Sequence, residues 1–321
     1  MRSGRVYAVF CLICLVFGTT FLAIRIGVAS GAPPFLFAGI RFSIAGLLLA
    51  LGLLASGRTS AGVLAALAPR AALLSLPYIV VNFGATFWAE QYIGSGTAAQ
   101  LDAACPIASA ALSALFLGKR LRPAHFLGIA AGFGGVWLIV GGAPPAGNGG
   151  SASADGSMSL IASIVMLSAA ICFAGSSVLY KRLFGDADDP FAVNSLNMLF
   201  GGLGLLAIAA ATGSPAFPIE AGTILPLAYL VVMGSLVGHS ANLWLVKVAG
   251  PLFTSSWSFV SPVIATAAGA LFLDERVGIG TIAGTAVTLM GVALVARAES
   301  GAPGLAGGSA PAGTSEASER R

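Results

Sequence analysis

Residues 106–120 read PIASAALSALFLGKR, and residues 262–276 read PVIATAAGALFLDER. A shift of 156 positions lays one on the other, with Pro106 on Pro262, the run Ala114-Leu115-Phe116-Leu117 on Ala270-Leu271-Phe272-Leu273, and Arg120 on Arg276. The same shift, without gaps, pairs Phe17 with Phe173, Pro34 with Pro190, Phe35 with Phe191, Gly46 with Gly202, and Trp88 with Trp244. It also pairs Gly94 with Gly250, Gly128 with Gly284, and Gly135 with Gly291. Matched Ala and Leu are cheap in so biased a chain; matched Trp, Pro and Phe over its whole length are not. The chain is a tandem repeat.

What the repeat is made of follows from composition. Of 321 residues 57% are hydrophobic and only 9% charged, against roughly 25% charged in an ordinary soluble domain. Sixteen basic and 12 acidic side chains cannot cover the surface of a soluble protein this size, and the mean hydropathy is +0.93. A soluble enzyme, a nucleic-acid binder and a disordered scaffold are excluded. The pI of about 9.1 reflects bases at helix ends, not one basic patch. This is an integral membrane protein whose first partner is the lipid bilayer.

A membrane helix needs about 20 mostly apolar residues. Ten stretches qualify: 6–28, 34–56, 68–89, 95–117, 123–141, 159–180, 190–212, 223–246, 251–273 and 279–297. Continuous apolar runs of this length argue against a β-barrel. Residues 142–158, rich in Gly, Ala and Ser, read as a flexible linker, and 298–321 as a disordered cytoplasmic tail. The domains are therefore 1–141 and 159–297, five helices each. The first span also admits reading as a signal peptide, with Arg2 and Arg5 ahead of it and Val28-Ala29-Ser30 beyond. The repeat includes Phe17 and sets Arg25 opposite Lys181, which makes that span part of the fold.

With the N-terminus inside, Arg2, Arg5, Arg58, Arg70, Lys119, Arg120, Arg122, Lys181, Arg182, Lys247, Arg297, Arg320 and Arg321 all fall on the cytoplasmic side, as the positive-inside rule requires. Both termini are then cytoplasmic. An odd number of helices per unit forces the second copy through the bilayer in the opposite sense. The expected fold is all-α, ten transmembrane helices as two inverted five-helix repeats, an organisation characteristic of secondary transporters. The competing reading is a duplicated scaffold without transport.

The residues also resemble the EamA-type drug/metabolite transporter superfamily. FGTTFLAIRIG (17–27) followed by PPFLFAGIRFSIAGLLLAL (33–51) is similar to the family's opening pair of helices. Pro262, LFLDERVGIGTIAG (271–284) and Gly291 look like its Pro…LGER…Gly signature, while LFLGKRL (115–121) puts Lys119 where that family usually has Glu, leaving Glu275 as the sole match. The resemblance spans about 6–297. It implies ten helices, cytoplasmic termini in an inner membrane, and movement of a small metabolite without ATP hydrolysis. No GxxxxGK[ST] phosphate loop is present.

Ionisable and polar groups inside spans are the default functional candidates. Arg41 and Asp102 each lie about eight residues into their spans, at comparable depth, so they can meet, with Gln100 nearby; a structural ion pair is the plainer alternative. Tyr78, Asn82, Thr86 and Glu90 share one helical face, as do Ser235, His239 and Asn242 in the repeat-related span. Two such stripes suit a polar central pathway, or interhelical hydrogen bonds alone. Asn197 is the repeat mate of Arg41, and Trp257 is a further cavity candidate, whereas Trp88 and Trp244 suit interfacial belts. Pro106 and Pro262 are hinge candidates. Gly128/Gly132 and Gly280/Gly284 have the spacing of close-packing faces. Cys11, Cys14, Cys105 and Cys172 read as buried thiols, and the acidic turn at Asp186, Asp188 and Asp189 as a solvated loop. No catalytic group, metal site, cofactor or nucleic-acid partner is expected.

The sequence reading is thus a transporter, not an enzyme. It exports amino acids or similar small metabolites by alternating access, with protons the candidate coupling ion, as a monomer or homodimer. A proton-coupled multidrug exporter is the alternative, and a membrane-embedded lipid-modifying enzyme a third.

Overall fold

A computed structural model describes residues 2–93, 95–118, 122–141, 156–185, 187–272 and 279–300. Among these the regular structure is helical throughout, with no strand. Helices α1 (Arg2–Ala29), α2 (Pro34–Ala55), α3 (Ala61–Ser75), α4 (Asn82–Ala89), α5 (Ser95–Asp102), α6 (Cys105–Leu117) and α7 (Pro123–Gly141) lie before the expected linker. Helices α8 (Gly156–Leu183), α9 (Pro190–Ala211), α10 (Ala221–Tyr229), α11 (Ser240–Ala249), α12 (Pro251–Ser255), α13 (Trp257–Phe272) and α14 (Ile279–Ser300) follow. Six helical stretches among the described residues are long and apolar enough to cross a bilayer: Gly4–Ala29, Pro34–Ala55, Ala61–Ala89, Leu160–Leu183, Pro190–Ala211 and Ala221–Ala249. Large apolar side chains face outward on them, such as Leu47, Leu48, Leu51 and Leu54 of α2 and Leu160, Ile161, Ile164 and Ile171 of α8. Lipid is the solvent that tolerates them.

Several boundaries differ from the expected spans, each for a local reason. The third begins at Ala61, not 68, because Ser60 caps it, its hydroxyl accepting from the Val63 N–H at 3.3 Å. The expected continuous third and eighth spans each contain a π-helical segment, Leu76–Val81 between α3 and α4 and Leu230–His239 between α10 and α11. Pro77 sits in the first turn of one, and Pro226 shortly precedes the other. A proline removes a backbone donor and crowds the carbonyl a turn earlier, and the ladder relaxes into the wider i→i+5 pattern. The stretches 95–117 and 251–273 are each broken in two, after Asp102 and after Ser255. Pro106 stands in the first turn of α6, whereas its mate Pro262 lies inside α13. Gly156 to Met158, expected in the linker, already belong to α8, and Ala298 to Ser300, expected in the tail, to α14. The rest of both segments, with Lys119 and Glu275, lies outside the described residues.

Packing repeats at the same shift. α2 runs along α9, and α7 along α14; each pair consists of elements related by 156 positions. α1 packs on α13 and α8 on α6, while α4 packs on α8 and α11 on α1. Glycine makes the two central crossings possible. A Cβ on Gly46 would sit 2.8 Å from the Leu199 Cα, and one on Gly202 would run into the Ser43 backbone; Leu199 is itself the mate of Ser43. At the other crossing, a Cβ on Gly128 would lie 2.9 Å from the Gly291 carbonyl, and one on Gly135 would lie 2.6 Å from that of Gly284. Gly132 is packed against Phe259. These glycines serve packing within the bundle.

The helix ends are tied by polar groups. The acidic turn is not merely solvated: Asp189 caps α9, accepting from the Phe191 N–H at 3.0 Å, and meets Arg58 at 3.6 Å. Asp188 accepts from the Gly185 N–H at 2.9 Å and pairs with Arg70 at 3.4 Å. Arg25, near the end of α1, donates to the Glu90 carbonyl at 2.5 Å. Its repeat mate Lys181, near the end of α8, donates to the Lys247 carbonyl. Each cation thus satisfies an orphan carbonyl at a helix C-terminus, where the dipole favours it.

Candidate functional site

Arg41 projects from α2 between the two halves of the molecule and is fully buried. Its Nε donates to the Ser235 hydroxyl, in the second π segment, at 2.9 Å. The guanidinium lies over the rings of Phe42, Phe83 and Phe87, at 4.5, 5.3 and 5.9 Å from their centroids. Its Nη1 has no hydrogen-bond partner among the described residues. Cation–π contact at a desolvated site is worth about 2 kcal/mol, well short of the several kcal/mol that burying an ion costs. The charge is held but not neutralised.

Among the described residues Arg41 and Asp102 form no ion pair, yet both line one cavity. Its other walls are Phe17, Thr20, Phe21 and Ile24 of α1, Asn82, Phe83 and Thr86 of α4, Phe173 of α8, His239 of the second π segment, and Trp257 of α13. The cavity measures about 30 Å³, room for a few waters and far less than the roughly 300 Å³ of a small-molecule pocket. Asp102 is buried, and its Oδ2 has no partner among the described residues. A guanidinium and a carboxyl group with no ion-pair partner among the described residues therefore share a space walled by aromatic rings: Phe17 and Phe173 both pack on Trp257, centroids 4.6 and 6.0 Å away.

Tyr78 and Asn242 lie behind this wall, outside the described lining. Asn242 Nδ2 donates to the Tyr78 hydroxyl at 3.0 Å, and that hydroxyl is 3.1 Å from His239 Nδ1. Tyr78 also stacks on Phe173, 5.3 Å between centroids. Asn197 is fully buried, and neither of its amide atoms has a partner among the described residues. Its neighbour Asn194 donates to the Ser240 hydroxyl at 3.0 Å. The Gln100 side chain lies outside the described residues. Of the sequence candidates, the structure gathers Arg41, Asn82, Asp102, His239 and Trp257 around the cavity. It adds Phe17, Phe21, Phe83 and Phe173, which polarity does not flag. Phe17 and Phe173 carried a signal nonetheless, as a repeat-matched pair of aromatic residues.

A helical bundle with apolar outer faces and a polar, aromatic-walled interior is a polytopic membrane protein. The chain belongs to the EamA-like transporter family, whose model matches it twice, over residues 4–141 and 160–297. It is similar to the uncharacterized inner membrane transporter YedA of Escherichia coli strain K12, 32% identical over 271 residues that cover 83% of this chain and 81% of the relative. The uncharacterized transporter YvbV of Bacillus subtilis strain 168 is 26% identical over 265 residues, 82% of this chain and 83% of that one. One solved crystal structure superposes with a TM-score of 0.70 over 91% of this chain and 97% of its own, at 18% identity. At that identity the likeness concerns fold alone.

Proposed function

We propose that this protein is a secondary transporter of the inner membrane that exports amino acids or related small zwitterions by alternating access. One observation carries the reading: Arg41 and Asp102 are both buried, border the same cavity, and lack counter-charges among the described residues. Two opposite charges left apart in a low-dielectric interior are costly. A ligand bearing a carboxylate and an ammonium group would satisfy both at once, the carboxylate through charge-assisted hydrogen bonds to the guanidinium.

Ten spans in two inverted repeats, with both termini cytoplasmic, supply the mechanism. Support comes from the contacts that exchange under the 156-residue shift, and from the paired clamps at Arg25 and Lys181. The cavity is too small for an amino acid in this conformation, so loading requires the bundle to open. The two π segments, at repeat-related positions, one holding Tyr78 and the other Ser235, the partner of Arg41, are candidate places for that opening. Asn82 and the aromatic walls would orient the substrate.

The test is counterflow in proteoliposomes loaded with the twenty common amino acids, using a labelled mixture outside. Arg41→Ala and Asp102→Asn should each reduce exchange at least tenfold, the loss of about one charged hydrogen bond. Wild-type exchange by both variants would remove the reading. A proton-coupled exporter of lipophilic cations is the second reading, favoured by Asp102 standing unpaired beside aromatic faces. Uptake of such a cation driven by a pH gradient, abolished in Asp102→Asn, would select it.

A further inference from the structure

The chain Asn242–Tyr78–His239 has a direction. Asn242 donates its amide N–H to the Tyr78 oxygen, so the single phenolic hydrogen is free to go to the other polar atom in reach, His239 Nδ1. A ring nitrogen that accepts a hydrogen bond carries no proton, and an imidazolium has no such nitrogen. A Tyr78 hydroxyl that donates to His239 Nδ1 makes the ring the neutral Nε2–H tautomer. That Nε2 is buried and has no partner among the described residues, and the ring lines the cavity. Its neighbours otherwise are apolar: Phe17, Phe42 and Phe83, with centroids at 5.2, 5.5 and 5.0 Å. Phe42 and Phe83 are also the rings under the Arg41 guanidinium. The two side chains thus pack on the same pair of rings, and each has a buried nitrogen without a partner among the described residues, Arg41 Nη1 and His239 Nε2.

We propose that Tyr78, oriented by Asn242, is a positioning residue that locks His239 as the Nε2–H donor, and that this donor and Arg41 form a joint seat for the oxyanion of the transported solute. The inference rests on the transport reading above and gives His239 a fixed proton where a relay would exchange it. Two donors bordering one cavity from separate elements select an oxyanion over an amine, because an ammonium has no acceptor to offer them. Tyr78 never touches the solute.

The sequence holds two histidines, which makes the tautomer directly readable. In protein labelled with ¹⁵N-histidine, His125→Gln leaves the His239 signals alone, and His239→Gln identifies the others. The expected spectrum near neutral pH has a protonated Nε2 and an unprotonated Nδ1, and Tyr78→Phe replaces it with a mixture of tautomers. An Nδ1–H ring, an imidazolium, or a spectrum indifferent to Tyr78→Phe would overturn the lock. If Tyr78→Phe does not fold, the tautomer of the parent protein still decides. For the seat, exchange of the labelled amino-acid mixture should fall about tenfold or more in His239→Leu and be largely rescued in His239→Gln, whose amide N–H replaces the lost donor. Equal exchange in the Leu variant would overturn the seat. A parent protein that carries none of the mixture defeats the proposed substrate class, while the spectrum still rules on the positioning role.

Discussion

Replacing Gly46 with Ala tests the crossing that places Arg41. The new methyl would lie 2.8 Å from both the Leu199 Cα and the Ser195 carbonyl oxygen, where ordinary contact begins at 3.4 Å. The Leu199 amide nitrogen would be closer still; all three obstacles are backbone atoms, so no side-chain rotation relieves them, and α2 must part from α9 by more than about 0.6 Å. Overpacking of this kind costs about 1–3 kcal/mol. For a large domain that corresponds to a fall in melting temperature of about 2–10 °C. Gly202→Ala should behave alike, since its methyl would meet the Phe42 carbonyl carbon at 2.9 Å on the opposite side of the same crossing. The double variant should lose less than the sum, because the separation forced by one methyl makes room for the other. Gly52, on the same helix and exposed, has nothing within 4 Å of where a methyl would stand. It is the control, and Ala there should be neutral or slightly stabilising. Thermal unfolding in detergent, followed by loss of the monodisperse peak, measures all four. Wild-type melting of Gly46→Ala, or strict additivity with Gly202→Ala, would refute the reasoning.

Two further outcomes follow. Gly234→Ala would bring a methyl to 2.7 Å from Arg41 Nη2, the free end of a flexible side chain, so melting should barely move. Amino-acid exchange should drop about tenfold to a hundredfold, as displacements near 1 Å do in a positioned site. Reporter fusions should read both the N-terminus and the C-terminus as cytoplasmic, from the distribution of basic residues; a periplasmic signal at one end with a cytoplasmic signal at the other would break the even count of spans.

The scaffold was open to reading because lipid imposes a length on every crossing helix, and because duplication left Trp, Pro and Gly at fixed spacing. The glycines found by self-comparison, Gly46 with Gly202 and Gly128 with Gly284, turn out to be the places where helix backbones touch. Broken helices were less open to reading. A composition window sees apolar residues through 95–117 and cannot see that the chain stops at Asp102 and restarts at Cys105. Pro106 marks that restart in α6, while Pro262 is accommodated inside α13; one residue type at one repeat position does two things, since its neighbours decide whether the freed carbonyl finds a partner.

Partners inside the site were the hardest to foresee, and the π segments explain why. Equal depth suggested that Arg41 meets Asp102, and a 3.6-residue period put Ser235, His239 and Asn242 on one stripe. Both inferences assume an unbroken α-helix. The π segment over Leu230–His239 alters the angular step along that stretch, so the three residues serve three different purposes. Ser235 reaches Arg41, His239 borders the cavity, and Asn242 reaches Tyr78 behind it. With Ser235 as its only side-chain hydrogen-bond partner among the described residues, Arg41 keeps one nitrogen unsatisfied, and Asp102 keeps one carboxyl oxygen without a partner among them. Both groups border a cavity with room for water, and on the proposed reading a solute bound and released in turn would meet them for part of the cycle.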